Sequence, residues 1–395
     1  MATVLVGGAV ANKCLNGGEA WVRLSWLLGL QRLGCQVFFV EQIDSATCVD
    51  EEGRPAPFET SLNRRYFDDV MREFGLTGSA ALLHDQGKQT SGLTLQEVLD
   101  VAGEADLLVN VSGHIDLEPV MARVRSKAFI DLDPGFTQIW HEQGLAGTRL
   151  AGHDHYFTVG ENIGKPDCPI PTGGLDWRPL PPPVVLEEWP ATPRRADPLS
   201  GNPLRFTTVG AWRGSFGPVE HDGRTYGVKV HEFRKVIELP QRADTGAEFE
   251  IALDIHPADA RDRDALLVSG WALVDPRAEA SGPDEFRRYV SRSGAEFSVA
   301  QGIYVDTGSG WFSDRTVKYL AAGKPALVQD TGFSENYPVG EGLVPFSTVE
   351  EAARGAAAIA SDYETHAQAA RALAEQHFDS DKVLARFLEQ VGVTP

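Results

Sequence analysis

The sequence predicts an α/β protein of two Rossmann-like halves, each a parallel sheet wrapped by helices, facing one another across a cleft. Three observations carry this expectation. The chain opens with strand, glycine loop, helix, strand, which is the start of a doubly wound domain. A second series of short apolar runs alternating with helical stretches begins near residue 204. Between the two series, Pro179, Pro181, Pro182, Pro183, Pro190 and Pro193 precede Pro203, the strongest linker signal in the chain. The expected boundaries are 1–178 for the first half, 179–203 for the linker and 204–376 for the second half. Residues 377–395 form a helix that packs back on the first half.

Residues 3–6 form a short apolar run ending in Gly7 and Gly8, followed by a loop through Asn12, Lys13 and Asn16. Residues 19–33 then place Trp21, Leu24, Leu27 and Leu28 near helical spacing, and Gly34 stands where a C′ glycine ends a helix. Residues 37–40 are a continuous apolar run, as in a parallel strand covered on both faces. Residues 106–114 and 128–133 repeat the pattern and end in polar residues at the expected crevice, and 155–159 closes the first half. In the second half the expected strands are 205–209, 249–255, 271–274, 296–300, 325–329 and 343–346. Helices are expected over 313–322, 349–360 and 381–390, and Asp222-Gly223 marks a hairpin inserted within 218–230.

The 395 residues suit two domains at about 100–200 residues each. With 36 Lys and Arg against 56 Asp and Glu the formal charge is -20, which repels nucleic-acid phosphates and anionic lipid, so neither nucleic acid nor membrane is an expected partner. The N-terminus lacks the pattern of a signal peptide, and no apolar run approaches the roughly 20 residues of a membrane span. A cytoplasmic protein is expected. Cys14, Cys35, Cys48 and Cys168 are scattered, as free thiols rather than zinc ligands.

The most informative stretch runs from Thr307 through Ser309-Gly310-Trp311-Phe312-Ser313-Asp314-Arg315 to the turn Leu320-Ala321-Ala322-Gly323-Lys324-Pro325. A Gly/Ser loop leads into a short helix whose cap is Ser313-Asp314. Its free N–H groups and helix dipole would form an anion site at 310–315, with a phosphate or diphosphate as the natural occupant. A merely well-capped crossover helix is the plainer alternative. Residues 205–242 hold seven basic and four acidic residues, a local excess of +3 in an acidic chain, after a strand that ends Val209-Gly210-Ala211-Trp212-Arg213. Arg213 and Lys229 are therefore candidates to face phosphates, with solvated surface positions as the alternative.

Taken together, the glycine loop, the central hinge, the Gly210-Ala211-Trp212-Arg213 strand end, the 307–315 loop, the Leu-Ala-Ala-Gly-Lys-Pro turn and Asp330-Thr331-Gly332 resemble the GT-B glycosyltransferases, which act on nucleotide sugars. The resemblance covers nearly the whole chain. It implies a donor site in the second half, with the diphosphate on Gly310 to Arg315 helped by Arg213 and Lys229. The base would lie at the strand end carrying Trp271 and Val274, and Asp330, Thr331 and Gly332 would approach the transferred sugar. The chain departs from the family in two places. Gly310 and Lys318 stand where retaining members commonly carry two glutamates, leaving Asp314 as the guess for a ribose-binding carboxylate, and Ser309-Gly310-Trp311 replaces the His-Gly-Gly loop of antibiotic-type inverting members. The donor base (UDP, GDP or dTDP) and the stereochemical outcome stay open.

A catalytic base, if one is used, comes from the first half. His114 follows a strand at its C-terminal end, and a near-neutral histidine suits deprotonation of an acceptor hydroxyl. Asp133 and Glu19 are the rival carboxylates, although Asp131 and Asp133 are equally suited to capping the turn at Pro134-Gly135. Gly17, Gly18 and Trp21 are expected to line the acceptor pocket, and the acceptor is expected to be a small molecule, a specialised metabolite as in antibiotic biosynthesis. His153 and His155 share a strand face but have no third ligand nearby, so no metal and no cofactor beyond the nucleotide-sugar co-substrate are expected. A nucleotide-sugar epimerase of the same fold and a non-enzymatic two-lobed binding protein are the alternatives. A nicotinamide dehydrogenase is disfavoured because Gly7-Gly8 does not extend into G-x-G-x-x-G. Oligomeric state is not legible.

Overall fold

A computed structural model of the chain describes residues 1–145, 147–192, 203–214 and 216–395. Residues 193–202 of the expected linker, Pro193 among them, lie outside the described residues. The first sheet comprises β1 (Thr3–Gly7), β2 (Gln36–Ile43), β3 (Ala80–His84), β4 (Gln89–Gly92), β5 (Leu107–Val111), β6 (Lys127–Asp131), β7 (His155–Thr158) and β8 (Trp177–Pro179). Its order is 4-3-2-1-5-6-7-8, parallel except for β4, which pairs antiparallel with β3 at one edge. The second half contains β9 (Arg205–Ala211), the hairpin β10 (Val219–His221) and β11 (Arg224–Tyr226), then β12 (Glu248–Asp254), β13 (Ala272–Val274), β14 (Ala295–Ser298), β15 (Ala326–Gln329) and β16 (Leu343–Phe346). The parallel order 13-12-9-14-15-16 leaves the hairpin outside the sheet. Each sheet thus reverses its winding beside its first strand, at β1/β5 and at β9/β14, which is where open α/β sheets bind ligands.

The helix Gly17–Arg32 is capped by the Asn16 side chain, which accepts from the Glu19 N–H, and ends before Gly34 at φ +88°. Leu24, Trp26, Leu27 and Leu30 on it are all buried, because it is covered on several sides rather than on one stripe. One side faces the first sheet. Another meets the second-half helix Pro283–Arg292, where Trp21 donates its indole N–H to the Pro283 carbonyl at 2.9 Å. A third meets the C-terminal helix Ser380–Gln390: the Trp26 and Phe387 rings lie 5.1 Å apart, and Phe387 also sits 4.9 Å from Phe157 of β7. Other contacts also join the halves. Phe136 and Trp140 of the helix Phe136–Glu142 each lie 4.9 Å from Phe216, just ahead of the hairpin. Asn162 donates its backbone N–H to the Ser309 carbonyl and its amide to the Gly308 and Gly332 carbonyls.

The segment between β2 and β5 folds into the helix Leu62–Glu73, the β3–β4 edge pair and the helix Leu95–Glu104. No helix among the described residues is long and apolar enough to cross a membrane.

Candidate functional site

The C-terminal ends of both sheets face a cavity of about 770 Å³ between the halves. Its first-half wall is formed by Leu15, Gly18, Glu19, Val49, Leu62 and Asp133. Its second-half wall is formed by the ends of β9, β12 and β13, by Lys229 and Gln301, and by Asp314 and Arg315 at the start of the helix Asp314–Ala321.

The loop after β1, the usual phosphate cradle of a Rossmann-like domain, is occupied from within. Glu41 of β2 is 1% exposed and its carboxylate accepts the N–H groups of Val10, Ala11 and Asn12 at 2.7, 2.8 and 2.7 Å. Burial pushes its carboxyl up to about 7, against the three N–H groups that favour the ion. The first half therefore has no vacant anion nest behind β1.

In the second half, Arg315 is fully engaged. It donates to Glu296 at 2.7 Å, to the Val209 carbonyl at 2.8 Å and to the Ser298 hydroxyl at 2.5 Å, tying β9 to β14 at the switch point. Lys229 is different. Its backbone N–H donates to Gln301 at 2.7 Å, while its ammonium has no hydrogen-bond or ion-pair partner among the described residues. Burial and the Arg315 guanidinium push that ammonium down to about 7, with Glu296 opposing. A side chain on Gly210 would stand 3.0 Å from the ammonium, so the glycine keeps the space in front of it open. An unpaired cation at the positive end of the switch point is suited to a diphosphate.

Across the cavity, Asp133 accepts from the Tyr304 hydroxyl at 3.2 Å. Burial and the nearby Asp131 and Glu19 charges push the Asp133 carboxyl up to about 7, with Tyr304 and Lys13 opposing. Asp131 itself is buried among Thr137, Gln138 and Thr158, all donating to it, and has a scaffold role. Glu19 pairs with the buried Arg23; burial opposes its charge, but Arg23 and Lys13 outweigh that and hold its carboxyl below the usual range.

Several expected site residues lie elsewhere. Arg213 makes a two-toothed pair with Asp259 at 2.7 and 2.5 Å and does not line the cavity. Trp271 is 2% exposed, donates its indole N–H to the Ile237 carbonyl and belongs to the core; its neighbour Val274 does line the cavity. Trp21 is fully buried at the contact between halves, and Gly17 is needed there because a Cβ would collide with the Gly282 carbonyl oxygen, so of the expected acceptor residues only Gly18 faces the cavity. His114 is absent from the cavity wall, and burial with Arg23, Lys13 and Arg149 pushes its imidazole down to about 3, so its conjugate acid is too strong for a neutral-pH base.

The glycine loop is largely taken up in joining the halves. Gly310 donates its N–H to the Thr331 carbonyl at 2.7 Å, Ser309 accepts from Asn162, and Trp311 bridges to Gly160, while Phe312 is buried against Phe378. Thr331 donates to the Trp311 carbonyl, Gly332 packs on Asn162, and Asp330 caps its own turn through Gly332 and Ser334, so this loop does not reach the cavity. Ser313 makes no side-chain cap. Asp314 lines the cavity but its carboxylate accepts from Lys318 at 2.9 Å, which occupies the ribose-binding guess from one side. Tyr304, Gln301, Phe216 and Glu41 are site residues that sequence reasoning did not reach. The alternation of strand ends could have flagged Glu41; nothing local marks the other three. Among the described residues no group of three or more His, Cys, Asp or Glu side chains is arranged to hold a metal ion.

No protein-family model matches the chain, and no curated protein matches it in sequence. Among solved structures the chain is similar to Anabaena Alr3699/HepE in complex with UDP and glucose, with a TM-score of 0.62 at 12% identity over 99% of this chain and 100% of that one. It is also similar to an alpha-glucosyltransferase in complex with UDP and a 13-mer DNA containing an HMU base, with a TM-score of 0.60 at 11% identity over 99% and 100% of the two chains. A third is sucrose-phosphate synthase from Thermosynechococcus elongatus, with a TM-score of 0.55 at 12% identity over 99% of each chain. The chain has the fold of these proteins, the GT-B arrangement of two Rossmann-like halves about a cleft.

Proposed function

We propose that the protein is a glycosyltransferase that moves a sugar from a nucleoside-diphosphate donor, a UDP, GDP or dTDP sugar, to a small-molecule acceptor without a metal ion. The observation that carries this reading is the unpaired Lys229 ammonium beside Arg315, at the switch point of the second sheet and across one cavity from Asp133. The diphosphate would lie against Lys229, the base and ribose along the ends of β12 and β13 near Val274, and the acceptor against Gly18, Glu19 and Asp133. Glu41 supports the assignment of donor and acceptor halves, because it fills the nest of N–H groups in the loop after β1. The likeness in fold to structures solved with UDP supports the donor class.

Asp133, rather than His114, takes the acceptor's proton in this reading, because a carboxyl that titrates near 7 is matched to neutral pH. A specialised metabolite suits the acceptor wall, where Leu15, Val49 and Leu62 supply apolar surface beside Glu19 and Asp133. Four free cysteines fit a cytoplasmic setting.

The test is a transfer assay with each nucleotide sugar and a panel of hydroxylated metabolites, with and without EDTA, read by mass spectrometry. An acceptor heavier by one glycosyl unit, formed equally well in EDTA, is the expected product. Interconversion of the nucleotide sugar with no acceptor present would replace this reading with the epimerase.

A further inference from the structure

The Asp133 carboxylate belongs to the first half, and its one side-chain partner among the described residues belongs to the second. Tyr304 stands on the short helix Gly302–Asp306, 3% exposed, with its ring 4.8 Å from Trp311 and 6.0 Å from Phe136. Its hydroxyl donates to Asp133 Oδ1 at 3.2 Å. Asp133 Oδ2 has no hydrogen-bond partner among the described residues, and Asp133 lines the cavity. The ring is held by aromatic contacts from both halves, so the phenol reaches Asp133 only while the halves are together.

We propose that Tyr304 is a positioning residue that reaches across the cleft from the donor half and holds the Asp133 carboxylate ready for the acceptor's proton only in the closed molecule. The inference rests on the transferase reading above. In the reacting complex the acceptor hydroxyl gives its proton to Asp133 Oδ2, and its oxygen forms the new bond to the anomeric carbon. The bond from that carbon to the diphosphate breaks, and the electron pair leaves with the diphosphate on Lys229. Four groups set the charge of Asp133 from the elements packed around it: Asp131 on β6 and Glu19 on the helix Gly17–Arg32 oppose ionisation, while Lys13 on the turn Ala11–Lys13 and the Tyr304 hydroxyl favour it. A hydrogen bond to the charged form favours that form, so Tyr304 offsets part of the cost of burying the carboxylate. Separation of the halves removes the phenol, and with it the side-chain donor that fixes the carboxylate. The carboxylate is thereby held in place only once donor and acceptor are enclosed.

The experiment compares wild type, Tyr304→Phe and Asp133→Asn by kcat and KM against pH, and by carbon-13 NMR titration of the Asp133 carboxyl, assigned by its absence in Asp133→Asn. In Tyr304→Phe the carboxyl midpoint should rise by about one unit. At pH 7 kcat should fall about fivefold, recovering toward the wild-type rate by pH 9, with the donor KM unchanged. A loss of rate equal at every pH, or an unmoved carboxyl midpoint, would overturn the proposal. Should Tyr304→Phe fail to fold, wild type carrying 3-fluorotyrosine, a stronger donor, should move the midpoint down, and an unmoved midpoint would again overturn it. If wild type transfers no sugar to any acceptor, the transferase reading fails, while the carboxyl titration still decides whether Tyr304 governs Asp133.

Discussion

Lys229 and Asp133 are shifted toward the same value from opposite sides, and each shift has a testable sign. Burial and Arg315 bring the Lys229 ammonium down to about 7, so at pH 8 the free protein holds it largely neutral. A bound diphosphate restores the charge, so donor binding should take up close to one proton at pH 8 and almost none at pH 5.5, read by calorimetry in buffers of different ionisation enthalpy. Lys229→Ala should weaken UDP-type ligands by about a hundredfold, whereas Arg213→Ala, whose partner is Asp259, should leave that affinity unchanged. Asp133 is raised to about 7, so its neutral form favours the fold at low pH and that contribution is lost as pH rises through 7. Asp133→Asn should therefore gain thermal stability relative to wild type between pH 5 and pH 8 while losing at least about a hundredfold in kcat. At this scale the sequence marks Lys229 by its basic run and Asp133 by its place at a strand end before Pro134-Gly135. It does not mark Tyr304, because a hydrogen bond between residues 171 apart leaves no local trace.

Among the elements, the helix Gly17–Arg32 decides how the halves meet. Its periodicity is legible, but its apolar residues run most of the way round, and no pattern in one segment says which neighbour covers which side. Trp21 therefore reads as a pocket residue and proves to be a contact between halves. Gly29 allows the C-terminal helix to lie close, since a Cβ there would stand 2.5 Å from Leu384 Cδ1 and 3.0 Å from Ser380 Cβ. Gly29→Ala should cost about 1–3 kcal/mol, and Phe387→Ala, which empties the space between Trp26 and Phe157, about 3–5 kcal/mol, both measured by denaturant unfolding. Gly17→Ala meets backbone rather than a flexible side chain, at the Gly282 carbonyl. The variant should fold but hold its halves apart, visible as a larger radius of gyration by small-angle scattering together with lost transfer. The 307–315 stretch shows the same limit: its Gly/Ser composition is plain, but Asn162, far earlier in the chain, takes the Gly308 and Ser309 carbonyls and Thr331 takes the Gly310 N–H. The edge strand β4 escapes notice because Gln89–Gly92 is polar and short, with no apolar run to announce it.

For the whole molecule, two sheets with the order 4-3-2-1-5-6-7-8 and 13-12-9-14-15-16 bring two switch points face to face, and this much follows from apolar runs that end in polar residues. The formal charge is -20, while the cavity holds the Lys229 ammonium with no hydrogen-bond or ion-pair partner among the described residues. In the proposed reading the donor half is told apart by packing rather than composition: both halves open with a glycine-bearing strand end, but Glu41 fills the loop after β1, whereas Lys229 stands in front of Gly210 at the end of β9. The most direct measurement is thermal unfolding of wild type and Lys229→Ala against a panel of nucleoside diphosphates. A ligand that binds only the folded state adds about 2.7 kcal/mol at a hundred times its Kd. The expected result is a rise of several degrees for wild type with at least one of UDP, GDP or dTDP, largely lost in Lys229→Ala. No rise with any of them, or an equal rise in both proteins, would contradict a donor site at Lys229.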